Sequence, residues 1–587
     1  MKNLRIILWV GLALVLLLNY STWMSDFAPR DAAAKAAVAK AAETEKATNP
    51  LGAAIPQSAA GSAAANATAP AAAASATVPT APAAPGAAPA AAPAAAAAAG
   101  TAPILNVRTD VLDVDVSLLG GELQRADLLA YPVKKGQAEP VRLLRNHGAG
   151  DQYLLQTGLT GTGTADATAY PTHLALFTSD FTGFALKDGD EIRVPLKWSS
   201  PEGASQGITV TKTLVFHRGS YRIDVEYEVH NGSPADWSVA PYAQILHDIP
   251  AVKRTYFNVD SYSFTGPAFW DGTKYKKLKI AKKDEASLSR DITDGWLASL
   301  QHHFVAAIVP PAGTPTSYTV STRGDEYLAR TVSPAVTVPA GATTKIEEKL
   351  FVGPKLQRQL VTLHPELDRA ADFGIMTFLS KHLFWLLDKA HVLFNNWGFA
   401  IIAVTFLLKL AFYPLSEASG RSMAKMKLVA PRMKQIQETY KDDRQKLGAA
   451  MMELYKKEKV NPAAGCLPQL IQIPVFLAFY WVLLESVEMR QAPFIGWIQD
   501  LSSRDPFFIL PVIMAGAMFL QYKLQPTPAD PVQAKVFMIL PLVMSVTFAF
   551  FPAGLVLYWV TNTVLTIAQQ WNINRRIEAA NAARTSN

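Results

Sequence analysis

The chain holds a single cysteine, Cys466, so no disulfide can form within it. Signatures of catalysis are also missing: there is no Gly-x-Ser-x-Gly elbow and no His-Glu-x-x-His helix. The nearest approach to a phosphate loop, Gly266 to Lys274, fails on three counts. Its glycines are one residue too far apart, Thr273 and Lys274 stand in the wrong order, and Pro267 and Trp270 crowd it. His302 and His303 are adjacent, which on a strand sends them to opposite faces, so a shared metal is not expected. No acid/base pair can be nominated. The sequence therefore reads as a protein that is not an enzyme, with no catalytic residues, no metal and no cofactor. Its net charge of +7 gathers in loops beside apolar helices, a membrane-topology pattern that sets DNA aside as a partner.

Large apolar residues are nearly absent from Ala28 to Pro103, where Ala and Pro dominate. Such a segment cannot bury a core, and 25–103 reads as a loose tether. Ahead of it, Lys2 and Arg5 precede an apolar run from Ile6 to Leu18. A cleaved signal peptide and an uncleaved anchor share this layout. Asn19, Tyr20, Trp23 and Met24 stand where a small-residue cleavage site is usual, which favours a transmembrane anchor over 1–24. The basic residues keep the N-terminus cytoplasmic and send the chain beyond the anchor across the membrane.

From Ile104 onward the period becomes two. Val111, Val114 and Val116 lead to Gly120 and Gly121; Ile208, Val210, Leu214 and Phe216 lead to Gly219, with Tyr221, Ile223, Val225 and Tyr227 beyond it. Many short strands at this spacing predict a large antiparallel all-β sandwich over 104–355, exported to the periplasm.

The remainder is helical. In 366–394, Leu379, Leu383, Leu386, Leu387 and Ala390 line one side while Asp372, Lys381, Asp388 and Lys389 fall elsewhere. This amphipathic helix suits the outer membrane interface; a helix capping the sandwich is the alternative. Apolar stretches lie at Trp397–Pro414, Leu467–Leu484, Phe507–Tyr522 and Val536–Ile573. The last is too long for one crossing at ~1.5 Å per residue, and Phe551, Pro552, Ala553 and Gly554 supply a turn. Five helices result, at about 397–415, 467–484, 506–522, 535–551 and 553–573, within a core of 395–576. With the anchor they make six spans. Even parity returns the tail at 577–587 to the cytoplasm together with Arg575, Arg576 and Arg584, and it places the basic loop 416–465 there too.

That loop alternates apolar residues such as Met423, Met426 and Met433 with Lys425, Lys427 and Arg432, and Asp442 and Asp443 mark a turn. It reads as a helical hairpin. A solvated charged hairpin and a docking surface for an anionic partner, with Met423, Lys425 and Met426 at its start, both fit. Lys409 is the sharpest single signal, because it stands among Phe406, Leu407, Leu408, Leu410, Ala411 and Phe412. A lysine at mid-membrane costs ~3 kcal/mol, so it faces a hydrated or protein interior unless it snorkels past Pro414 to the surface. Both readings stand on physics alone. Thr405 lies one turn away on the same face, and Gln469 and Gln472 occupy the next span.

The run Glu458, Lys459, Val460, Asn461, Pro462 with Gly465, Cys466, Leu467, Pro468 and Ile471 to Phe476 resembles the YidC-type membrane protein insertases. So do Ser422 to Met426, Arg490 to Phe494, and Phe551 to Trp559; together these cover most of Trp397 to Arg576. The anchor, tether and exported domain are similar in layout to the Gram-negative form, whose periplasmic domain is a β-supersandwich. The resemblance implies insertion and folding of integral proteins in the inner membrane, alone or with the Sec translocon. Nascent clients, the lipid bilayer and the ribosome are the partners it implies. It places Lys409, Thr405 and Gln472 in a hydrophilic groove, and Phe476, Tyr558 and Trp559 along the path a client slides. The family usually carries Arg where Lys409 stands, so the charge is kept and the bidentate fork is not.

Overall fold

The computed structural model describes residues 54–56, 102–148, 150–162, 169–201, 206–248, 263–280, 287–323, 326–440, 443–458, 462–524 and 531–585. The anchor expected at 1–24 and the tether at 25–103, apart from 54–56 and 102–103, lie outside the described residues. Two compact units emerge, parted between Ala370 and Ala371, with Ser263 grouping with the second.

In the first unit nineteen described strands form two sheets, of eleven and eight strands. Along Arg222–Asn231 alternate residues Ile223, Val225, Tyr227 and Val229 are buried, and Ile208–His217 pairs with it antiparallel from Ile208↔Asn231 to Phe216↔Ile223. Gly219 closes that hairpin at φ 66°, a left-handed turn that glycine makes without a Cβ penalty. In the larger sheet Trp237–Asp248 lies between Gln152–Thr160 and Glu326–Val332; in the smaller, Thr343–Pro354 lies between Phe304–Val309 and Arg222–Asn231. Side chains of both sheets, Leu155 and Ile245 with Val225 and Phe351 among them, join in one apolar core.

A charge sits inside that core. Lys212 is 0% exposed, and its Nζ donates to the carbonyls of Gly120 at 2.7 Å, Gly121 at 3.1 Å and Thr157 at 3.0 Å. Three acceptors match the three N–H groups of an ammonium. Burial, opposed by the nearby Glu348 and Glu122, pulls the Lys212 pKa down to about 7. The same burial pushes Glu348 up to about 8 and Glu122 up to about 7.

One detail differs from the sequence expectation. His302 and His303 are not on a strand; they bend ahead of Phe304–Val309 with their rings stacked at 3.8 Å and 21°. The strand alternation that would separate them does not apply there. The Gly272–Lys274 stretch is a hairpin turn in which Asp271 Oδ1 accepts from the backbone N–H groups of Thr273 and Lys274, so it has no need of a phosphate.

Helix α1 (Gln357–Leu363) and a short 3-10 turn at Leu367–Ala370 end the first unit. The second contains α2 (Thr377–Phe394), α3 (Trp397–Ala411), α4 (Tyr413–Thr439), α5 (Arg444–Lys457), α6 (Pro462–Glu485), α7 (Ile509–Leu524), α8 (Pro531–Phe548) and α9 (Ala553–Thr585). The amphipathic helix is shorter than the sequence pattern suggests. Gly374, at φ 58° with its N–H bonded to Asp372, interrupts it, and only α2 is α-helical. Its buried face of Ser380, Leu383, Phe384 and Leu387 packs on the helical unit, where Ser380 donates to the Ala478 carbonyl and His391 stacks on Trp397 at 4.1 Å. The long final apolar stretch breaks between Phe548 and Ala553, around Pro552.

Among the described residues no single helix is both long and apolar enough to cross a membrane; α3 and the start of α4 qualify as a pair, bent by 61°. Shorter apolar helices lie at Ile471–Glu485, Ile509–Leu524 and Met538–Phe548. The outward faces of α3, α7 and α8 are apolar, with Phe406, Leu410, Val512, Leu542 and Val546 each more than half exposed. A soluble monomer rarely leaves so much apolar surface to water.

Candidate functional site

The site grows from α3. Asn396 caps its N-terminus by accepting from Phe399 N and donates its amide to the Phe494 carbonyl at 2.9 Å. Gly398 lets the helix approach closely: a Cβ there would stand 2.0 Å from Phe494 Cδ2. One face then descends through Ala400, Ile401 and Val404 to Thr405, all buried, and reaches Lys409 one turn on. Thr405 turns its hydroxyl back to the Ile401 carbonyl at 2.6 Å. Lys409 reaches α9, where its Nζ donates to Thr566 Oγ1 at 2.8 Å, and Gln569 Nε2 donates to the Lys409 carbonyl at 3.3 Å. Thr566 in turn donates to the Asn562 carbonyl at 2.6 Å, which leaves its oxygen turned to the lysine. Among the described residues the ammonium meets a hydroxyl and no carboxylate.

The Gln472 side chain lies beside Tyr558, which is 2% exposed. Around that pair an aromatic wall forms: Phe479 stacks on Tyr558 at 4.4 Å, Phe476 meets Trp559 edge-on at 4.9 Å, and Phe548 lies 5.2 Å from Trp559. One end of the bundle is tied shut by the loop before α7. Ala553 N and Gly554 N donate to the Ser503 and Leu501 carbonyls, and Asp505 accepts from Trp497 Nε1 and from Leu510 N at 2.7 Å. At the α4 and α5 hairpin, Val429, Met433 and Leu454 form a small core with Met426 packed against it, Lys425 is exposed, and Asp443 caps α5. The side chains of Met423 and Gln469 are outside the described residues.

The sequence reading named Tyr558 and Trp559 of α9 but missed the residues of that helix beside Lys409. Asn562, Thr566 and Gln569 recur at helical spacing inside an apolar stretch, and that polar stripe was the available signal. What it could not supply was the partner, since Lys409 and Thr566 are 157 residues apart.

An apolar-skinned helical bundle with an interior lysine is thus joined in one chain to a β-sandwich unit. Residues 389–581 match the family model of the 60Kd inner membrane protein, and 104–386 match that of the YidC periplasmic domain. The membrane protein insertase YidC of Thioalkalivibrio sulfidiphilus is 43% identical over 589 residues, covering 99% of each chain. That of Methylococcus capsulatus is 45% identical over 477 residues, covering 81% of this chain and 86% of the relative. A solved active YidC insertase with its first transmembrane domain resolved aligns over 80% of this chain and 94% of its own, at 19% identity and TM-score 0.35. The chain belongs to the YidC family of membrane protein insertases.

Proposed function

We propose that this chain inserts and folds integral membrane proteins in the inner membrane through a polar groove bounded by α3, α6 and α9. The observation that carries the groove is the Lys409 ammonium held by Thr566 instead of by an acid, because such a charge keeps its attraction for an incoming carboxylate. A client's short polar tail enters beside Lys409, Thr405 and Gln472. Its apolar segment moves along Phe476, Tyr558 and Trp559 into lipid, driven by about 25 cal/mol per Å² of apolar surface leaving water. No nucleotide is required.

The topology that fits is six spans with both termini and the hairpin of 416–465 in the cytoplasm, the β unit in the periplasm and α2 at the outer interface. The hairpin, with Lys425 exposed and Met426 beside an apolar cluster, suits docking of the ribosome or a nascent chain, and joint action with the Sec translocon fits by family likeness.

The test is a charge series at Lys409 with paired clients that differ only in the charge of the translocated tail. A carboxylate at ~4 Å gains about 4 kcal/mol at an effective dielectric near 20, against about 1 in water. Lys409→Arg should be tolerated, Lys409→Ala should impair acidic tails most, and Lys409→Glu should be worst. Equal losses for acidic and neutral tails, with normal protein abundance, would leave Lys409 a structural residue only.

A further inference from the structure

The larger β sheet has a second face, turned away from the core between the sheets. Register places Gln156, Gln244 and Arg330 side by side across three neighbouring strands, and Leu154, Leu246 and Leu328 side by side one pleat further along. Directly opposed residues share a face, and so do residues two apart on a strand. Both rows therefore lie on this second face, whereas Leu155 and Ile245 point into the main core. The leucines form an apolar cluster of their own. The polar row is a relay: Gln156 Nε2 donates to Glu122 at 2.6 Å, Gln244 Nε2 to Gln156 Oε1 at 2.5 Å, and Arg330 Nε to Gln244 Oε1 at 2.7 Å. Gln244 is 0% exposed. The relay fixes the Arg330 fork and aims its free edge outward.

The tether meets that edge. Arg330 Nη2 donates to the Ala54 carbonyl, and Thr160 Oγ1, on the same face as Gln156, donates to the Pro56 carbonyl at 2.6 Å. Pro56 is buried. Both contacts read main-chain carbonyls two residues apart, so they select an extended backbone and not a side chain. Proline at this place is apt, since it holds the chain extended and has no N–H to satisfy.

We infer that this face carries a built peptide-binding site for an extended, proline-containing segment, filled in cis by Ala54–Pro56 of the chain's own tether. An Ala/Pro tether without an apolar core of its own thus gains one fixed point.

The test places a photoreactive benzoylphenylalanine at Ile55 in the full chain, in membranes, and maps the crosslinked peptides. The adduct should fall on Gln152–Thr160, Trp237–Asp248 or Glu326–Val332. Arg330→Ala combined with Thr160→Val should lower its yield about tenfold or more, as for two lost hydrogen bonds of which one has a charged donor. Arg330→Lys guards against misfolding: it keeps the charge but cannot serve Gln244 and Ala54 together, and it should lower the yield severalfold while hydrogen exchange of the three strands stays unchanged. Adducts mainly to lipid or to the helical unit, or a yield indifferent to both variants, would overturn the inference.

Discussion

The two units of this chain treat a buried lysine in opposite ways. In the β unit Lys212 is saturated, with three carbonyls for three N–H groups and two carboxyls nearby. In the helical unit Lys409 meets, among the described residues, one hydroxyl on α9, and the surface around its helix is apolar, with Phe406 52% and Leu410 59% exposed. A saturated buried charge serves architecture, because nothing further can bind it without breaking the bonds already made. An under-saturated one retains an interaction to give. The same contrast runs outside: the β unit shows water ion pairs such as Arg125 with Asp113 and Asp115, and the helical unit shows hydrocarbon.

The largest effect expected from breaking this contrast is Lys212→Met. Three buried carbonyls lose their donor at once, so the β unit should lose about 3–5 kcal/mol. Denaturant-dependent hydrogen exchange of the strands Ile208–His217 and Gln152–Thr160 measures it. Client insertion, read at a temperature where the unit is still folded, should stay near normal. A destabilisation below about 1 kcal/mol would show that Lys212 is dispensable to the core and would undo the saturated half of the comparison.

How much of the molecule is legible in its sequence depends on the range of the contacts. The hairpins around Gly120 and Gly219 are local, so alternation and turn residues display them. Lys409 is legible because one charge in an apolar run is anomalous by itself. Lys212, in Thr211–Lys212–Thr213, resembles an ordinary outward residue of a strand; its burial depends on Gly120 and Gly121, more than ninety residues away. Met376 and the residues just before it look helical in the sequence because their apolar pattern continues that of α2, and the turn at Gly374 overrides the pattern.

A second, smaller effect is on pH. The folded pKa of Glu348, about 8, and that of Glu122, about 7, lie above the ordinary 4.5, so their contribution is fully present below pH 4.5 and is lost as pH climbs through 7 and 8. Lys212 runs the other way: with a folded value of about 7 against 10.5, its contribution is full above 10.5 and is lost as pH falls toward 7. Between pH 5 and 7 only the carboxyls change their proton balance, and the β unit should weaken by on the order of a few kcal/mol. Glu348→Gln, which stays uncharged, should flatten that decline. A wild-type unit whose stability rises over the same interval would contradict the assignment of buried, protonated carboxyls.

The smallest effect concerns the α9 side of the site. Thr566→Val keeps the shape of the side chain and removes the oxygen that accepts from Lys409. If the hydroxyl only steadies the ammonium, its loss is worth about 1 kcal/mol, or roughly fivefold. The sign separates two roles for the contact. A positioning role predicts poorer insertion of acidic-tailed clients, with neutral-tailed clients unchanged, because a lysine without its anchor samples positions out of reach of the tail. A competing role predicts the reverse, since removing an acceptor that occupies the ammonium frees it for a carboxylate. The geometry favours positioning: Thr566 is itself fixed by the Asn562 carbonyl, and Gln569 holds the Lys409 backbone from the next turn. Thr566→Ser, which keeps the oxygen, should restore normal insertion. Insertion of the charge-paired clients by Thr566→Val and Thr566→Ser therefore measures whether α9 positions the lysine, and a uniform loss in both variants would assign Thr566 to helix packing alone.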